Sequence, residues 1–225
     1  TQEAVSRHLD LDILALGGDR MADAGATLLD HTSAIGSIGI WESLPFILPT
    51  LSIQRRTQQY LMEHPPDVAI LIDYMGPNLG VGRFIRQQFP TVPIFYYIAP
   101  QEWVWAFGSR NTTRIVDMVD QVLAVFPGEA RYYKEHGATV TWVGHPLVDR
   151  MALAPDRETA RTRLGIPAEQ QAIALLPASR RQEIHHLLPV MVETARHIQA
   201  QVPQAHFWVP VSLNTYRPAI EQALQ

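Results

Sequence analysis

Val68-Ala69-Ile70-Leu71-Ile72, followed by Asp73-Tyr74-Met75-Gly76-Pro77-Asn78 and then an apolar-periodic run over 81–88, is the stretch that decides the fold. Five consecutive apolar residues, two of them isoleucine, read as a buried strand. The polar, Gly- and Pro-containing segment reads as a turn, and the run after it as a helix. The same order recurs along the chain. Further strands are predicted at 13–16, 93–98, 121–125, 140–143, 172–176 and 206–210, with helices at 51–63, 112–119, 128–136 and 181–201 between or after them. Strands alternating with helices of this length imply an α/β fold with parallel sheets.

Between 150 and 170 the pattern changes. A helix is predicted at 157–164 but no strand, and Pro155 and Gly165-Ile166-Pro167 interrupt the segment. It reads as a crossover between a first domain over 1–149 and a second over 171–225. The second carries only two predicted strands and is expected to be partly present. Both ends of the chain read as cut: it opens on Thr1, and its last helical pattern is interrupted at Gln225.

Composition narrows the function classes. Of 225 residues, 47% are hydrophobic and 18% charged, enough apolar material for a real core. The formal net charge of -4 supplies no global field toward nucleic acid, which is not an expected partner. The chain has no cysteine, so disulfides and cysteine-held metals are excluded. No apolar run is long enough to span a bilayer.

The unusual clusters fall just beyond the predicted strands, where ligands bind in open parallel sheets. They are Gly17-Gly18-Asp19-Arg20, Asp73 to Asn78, Ala99-Pro100-Gln101-Glu102-Trp103, Phe126-Pro127-Gly128-Glu129, Gly144-His145-Pro146-Leu147 and Pro177-Ala178-Ser179-Arg180. Each has two readings. Gly17-Gly18 either approaches a ligand or only permits a tight turn. Asp73 is either an acid–base group or the cap of its loop. Trp103 and Trp105 either stack on a sugar or uracil ring or fill space under a loop. His145 is either a ligand contact or a hydrogen-bonded loop anchor. His185-His186 are neighbours on a helix, point apart and are poorly placed to share a metal.

Ser179 followed by Gln182 fits a capping box, opening the helix at 181–201. A helix start after a strand offers free backbone amides to an anion, and Arg180 beside them suits a pyrophosphate. The alternative is an ordinary capped helix with solvated arginines. An apolar stretch at 38–51, near Arg55-Arg56, either packs on the sheet or meets acyl chains or a membrane surface.

Taken in order, the motifs resemble lipid-A-disaccharide synthase. They are Gly17-Gly18-Asp19-Arg20-Met21, Ile40-Trp41-Glu42-Ser43-Leu44, Ile72-Asp73, Pro100 with Trp103-Val104-Trp105, Val143-Gly144-His145-Pro146-Leu147-Val148-Asp149 and Leu175-Leu176-Pro177-Ala178-Ser179-Arg180. The resemblance implies a GT-B fold of two Rossmann-like domains, the first on the acceptor side and the second binding the nucleotide sugar. It implies an inverting, metal-independent glycosyltransferase without a cofactor, peripheral at the cytoplasmic face of the inner membrane. The implied donor is UDP-diacylglucosamine and the implied acceptor diacylglucosamine 1-phosphate. A homodimer stays open.

On this reading Asp73 and Arg180 are the catalytic candidates, as base and as leaving-group stabiliser. Gly17, Gly18, Asn78, Glu102, Trp103, His145, Ser179 and Glu183 complete the set as substrate-binding candidates. The chain departs from the family pattern twice. Gly76 stands where the family carries a second aspartate, and Ala178 where it carries glycine. The family's Gly-Glu-x-Ser-Gly-Asp motif would precede Thr1, so the piece alone is expected to be inactive. The rival readings are a GT-B enzyme for another lipid acceptor, a UDP-sugar epimerase, and a non-catalytic binding protein.

Overall fold

A computed structural model describes residues 10–32, 47–105, 110–177, 181–211 and 214–224. The chain divides into two compact units, Thr1–Asp149 and Arg150–Gln225.

In the first unit β1 (Leu14–Gly17) and β2 (Thr27–His31) pair in parallel around the short helix Asp19–Asp23. A second sheet holds β3 (Ala69–Ile72), β4 (Ile94–Tyr97), β5 (Gln121–Ala124) and β6 (Val140–Trp142), all parallel and in chain order. By the general rule that such crossovers are right-handed, consecutive parallel neighbours place their connecting helices on one face. Those helices are Met75–Gln88, Arg110–Met118 and Pro127–Glu135.

Burial follows the two periodicities. Leu71, Ile94, Tyr96, Val122 and Ala124 alternate inward along the strands, and Val81, Ile85, Ile115 and Tyr133 meet them from the helices. Ile94, Ile115 and Val122 are wholly buried, each worth roughly 1.5–3 kcal/mol over exposure. The opposite face of β3 is open, with Ile70 58% and Ile72 40% exposed.

At the amino end of this sheet Arg86 ties the layers together. Its guanidinium donates to the Met118 carbonyl at 3.0 Å and to Asp120 Oδ2 at 2.5 Å, and Ile94 N–H donates to that same oxygen at 2.7 Å. Desolvation works to raise the Asp120 pKa, but the Ile94 amide and Arg86 together hold it below the ordinary carboxylate value.

In the second unit β7 (Gln171–Ala174) and β8 (Ala205–Trp208) pair in parallel. The helix Arg181–Gln201 turns Ile184, Leu188, Val192 and Ala195 inward, a stripe at helical spacing, and Ile220 packs against it. The helix Arg157–Leu164 begins at Asp156, whose carboxylate accepts the Thr159 N–H at 2.8 Å, and ends at Gly165 with φ 66°.

The helix Pro146–Ala152 was not predicted, the helix predicted from 51 begins at Ile47, and two further elements differ from the sequence reading. β2 was not among the predicted strands, because Leu28-Leu29 is too short an apolar run between Thr27 and Asp30 to announce one. The helix predicted from 81 begins at Met75 instead. Gly76 and Pro77 suggest a loop, but proline is tolerated in a first helical turn, whose N–H groups have no intrahelical partner.

Candidate active site

The carboxyl ends of β3 to β6 make one rim. Immediately beyond β3 stands Asp73 with φ 54°, and beyond β4 stands Ile98 with φ 56°. A left-handed backbone is uncommon for any residue but glycine and a clear outlier for a β-branched one. Such conformations cost about 1–3 kcal/mol each and persist only where the surroundings impose them. Here hydrogen bonds impose the first of them. Asp73 N–H donates to the Tyr97 carbonyl at 3.1 Å, and the Tyr96 hydroxyl donates to the Asp73 carbonyl at 3.0 Å. The Asn78 side-chain amide donates to the Ile72 carbonyl at 2.9 Å. Burial pushes the Tyr96 hydroxyl up to about 12, with the Asp73 charge adding and the Asn78 hydrogen bond opposing.

The Asp73 side chain is exposed, and among the described residues nothing hydrogen-bonds its carboxylate. The helix after it starts from Tyr74 with no side-chain cap, so Asp73 does not serve as that helix's N-cap. One turn on, a Cβ built at Gly76 would meet nothing within 4 Å. The place of the family's second aspartate is therefore empty of carboxylate but sterically open.

After β4 the chain passes through Ala99 and Pro100 into the short helical turn Glu102–Trp105. Asn111 donates to Glu102 Oε1 at 3.4 Å. The Trp103 ring lies against the backbone of Gly128: a Cβ at Gly128 would come within 2.9 Å of it. Its ring centre is 6.0 Å from that of Phe126, which in turn lies 5.1 Å from His145. Among the described residues the indole Nε1 of Trp103 is buried without a hydrogen-bond partner. Trp103 thus packs on protein at the loop base. His145 Nδ1 accepts the Leu147 N–H at 3.1 Å, which in the neutral ring leaves the proton on Nε2. The residue before it, Gly144, has φ 80°, which favours glycine there.

One residue of this rim escaped the candidate set although its cluster had been noticed. Glu129 is 1% exposed, and its carboxylate accepts three backbone N–H groups. Oε1 takes Ala99 at 3.0 Å, while Oε2 takes Val125 at 2.9 Å and Phe126 at 3.2 Å. The signal was available: an acid at the third position of a helix opened by Pro127 is one half of a capping box.

The other candidates lie elsewhere. Gly17 ends β1 and Gly18 precedes the helix Asp19–Asp23, accepting the Met21 N–H at 2.9 Å. Gly18 is extended, and a Cβ at Gly17 would collide only with the end of the Met21 side chain. The pair makes a tight strand-to-helix turn. Ala178, Ser179 and Arg180 lie outside the described residues, as does the side chain of Glu183, so the predicted anion site and its capping box do too. The apolar stretch is described only from 47 on, where Leu48 is 77% exposed and Leu51 45%.

Alongside the rim, a groove of about 620 Å³ follows the open sheet face past Ile70, Ile72, Tyr97, Leu123 and Val143 to His145. Its walls are mainly apolar and include Asp149. Among the described residues no helix is long and apolar enough to cross a membrane.

Parallel Rossmann-like units with a polar rim at the strand ends define an α/β protein of the GT-B class. Solved structures agree: the S. aureus MnaA–UDP co-structure matches with a TM-score of 0.65 at 14% identity, over 99% of this chain and 59% of that one. The UDP-GlcNAc 2-epimerase of Methanocaldococcus jannaschii matches with a TM-score of 0.55 at 13% identity, over 99% and 64%. Within that class the family is specific. The family model described as lipid-A-disaccharide synthetase matches residues 1–225, and the chain belongs to that family. Lipid-A-disaccharide synthases similar to it include those of Gloeothece citriformis, 51% identical over 100% of this chain, and Synechocystis sp., 50% identical over 100%. That of Pseudomonas aeruginosa is 36% identical over 98% of the chain. The chain spans 58%, 57% and 57% of these relatives' lengths.

Proposed function

We propose that the protein containing this chain is an inverting glycosyltransferase. It joins UDP-2,3-diacylglucosamine to 2,3-diacylglucosamine 1-phosphate and yields lipid A disaccharide 1-phosphate and UDP. Family membership along the whole chain supports the reaction class. The observation that carries the site is the exposed Asp73 carboxylate at the end of β3, held at an imposed backbone angle and not hydrogen-bonded among the described residues.

In this reaction Asp73 takes the proton of the acceptor's 6-hydroxyl as its oxygen attacks the anomeric carbon. The bond to the donor pyrophosphate breaks on the opposite face, and its electron pair leaves with UDP. Arg180, with the helix start beside it, offsets the charge that develops there. Asn78, Glu102 and His145 border the acceptor sugar, and the apolar groove offers its acyl chains a surface. The exposed Leu48 and Leu51 support a peripheral contact with the inner membrane on its cytoplasmic side.

The complete reading frame, supplied with both lipid substrates, tests the proposal by UDP release and by mass spectrometry of the lipid product. A β-1,6-linked disaccharide upholds it. UDP release without that product points to another acceptor, and turnover of UDP-sugar alone to an epimerase. A folded protein that binds the donor but releases no UDP makes Gly76 decisive and the protein a binder.

A further inference from the structure

We propose that Glu129 is a positioning residue for the rim, setting the direction of Asp73 through the backbone without touching substrate. The functional half of this inference rests on the transferase reading above; the geometric half does not.

Glu129 is buried and bonds two loops that leave neighbouring strands. Ala99 follows β4, and Val125 and Phe126 follow β5. The Ala99 N–H it holds belongs to the residue directly after Ile98, whose left-handed backbone no β-branched residue adopts unaided. The same helix adds a second hold one residue further on, where the wholly buried Tyr133 donates its hydroxyl to the Pro100 carbonyl at 3.0 Å. On its other side Ile98 follows Tyr97, whose carbonyl takes the Asp73 N–H. A continuous path of bonds therefore runs from Glu129 through Ala99, Ile98 and Tyr97 to Asp73, which is itself left-handed.

The side-chain chemistry is specific to a carboxylate. Three N–H donors converge on two oxygens, and a glutamine would turn its own N–H₂ toward at least one of them. Removing the charge should release one loop or the other, let Ile98 relax and turn Asp73 away from the acceptor. Displacements of this order far from the chemistry lower rates strongly.

Glu129→Gln in the complete protein, alone and with Ile98→Gly, tests the inference by amide hydrogen exchange and by steady-state transfer with each substrate varied. The amides of Ala99, Val125 and Phe126 should exchange at least about tenfold faster in Glu129→Gln, while Val122 in the β5 ladder stays protected. Turnover per folded molecule should fall about 50-fold and the acceptor KM rise, with the donor KM within about twofold. Adding Ile98→Gly, which accepts the left-handed angle without a brace, should recover at least about fivefold of that turnover. Unchanged exchange overturns the inference. So does faster exchange with wild-type turnover, or a loss that Ile98→Gly does not relieve, which would make Glu129 a contributor to stability alone. If the wild type transfers to no acceptor, the transferase reading fails and the exchange arm decides the brace by itself. Should Glu129→Gln not fold, Glu129→Asp, one methylene shorter, carries the same measurements.

Discussion

The turn after β1 and the turn after β5 are written alike and built differently. Each leaves a parallel strand and enters a helix that has a glycine at or beside its start and an acid in its first turn: Gly18 and Asp19 in one, Gly128 and Glu129 in the other. Asp19 is 86% exposed in its side chain and pairs with His31 at 2.9 Å, and its five-residue helix holds no buried residue. Glu129 is 1% exposed and bonds three backbone amides, and the Trp103 ring packs on the backbone of its neighbour Gly128. The difference is not in the turn but in what covers it. An acid at a helix start becomes part of the architecture only where neighbouring apolar groups exclude water, because there each unmade hydrogen bond is costly.

Four comparisons, built on seven substitutions, press on that contrast. The largest effect is expected at the reacting end of the braced rim. Asp73→Asn in the complete protein should lower turnover by about 100- to 10,000-fold with little change in unfolding temperature. The exposed acid of the other turn, in Asp19→Asn, should leave turnover within about threefold. Equal losses from the two would remove the distinction between the rims, and near-normal turnover in Asp73→Asn would remove the base.

Next comes the brace itself. Glu129→Ala leaves three buried N–H donors unanswered, a penalty of about 3 kcal/mol or more, against about 0.5 kcal/mol or less for Asp19→Ala. Urea unfolding of both variants gives the comparison directly. The glycines give a smaller version of it. Gly128→Ala drives a methyl group toward the Trp103 ring and should cost about 1–2 kcal/mol, whereas Gly17→Ala displaces only the flexible end of Met21 and should cost less than about 1. A Gly128→Ala variant as stable as the parent would show that the indole yields easily.

The smallest effect lies at the opposite end of the sheet. The Asp120 carboxyl is held below its ordinary value, so its contribution is complete above the unfolded pKa of about 3.9 and is lost as pH falls through the folded value. The wild type should therefore exceed Asp120→Asn in stability at pH 6 and lose that lead in more acidic solution. Half of the side chain is exposed, which screening keeps below about 1 kcal/mol. A lead that persists at pH 2 would assign the difference to something other than ionisation.

The parallel α/β architecture was legible because strand and helix periods alternate visibly from 68 onward. β2 was not, since a pair of leucines between polar residues announces no strand and only pairing with β1 makes one. The rim was legible as a sequence of loops, and Asp73 and His145 as members of it, because their neighbours are turn residues. What those residues do there was not. The capping reading of Asp73 and the stacking reading of Trp103 were equally permitted by their own segments. What surrounds the two residues comes from far along the chain: Tyr96 and Tyr97 hold the Asp73 backbone, and Gly128 and Phe126 lie against Trp103. The left-handed Ile98 has no local signature at all, and the carboxylate that holds the N–H of the residue after it, Glu129, stands thirty-one positions away.

The chain order of β3 to β6 has a consequence for how this sheet is made. Ala69 lies beside Ile94, Phe95 beside Gln121, and Val122 beside Val140, so every new strand pairs with the one synthesised just before it. Neighbours of such short sequence separation close small loops and form quickly. As the polypeptide leaves the ribosome, each strand arrives with its docking edge already waiting, and the sheet can grow in step with translation. Glu129 emerges after both loops it joins, so the rim is fastened as the strands that carry it are completed.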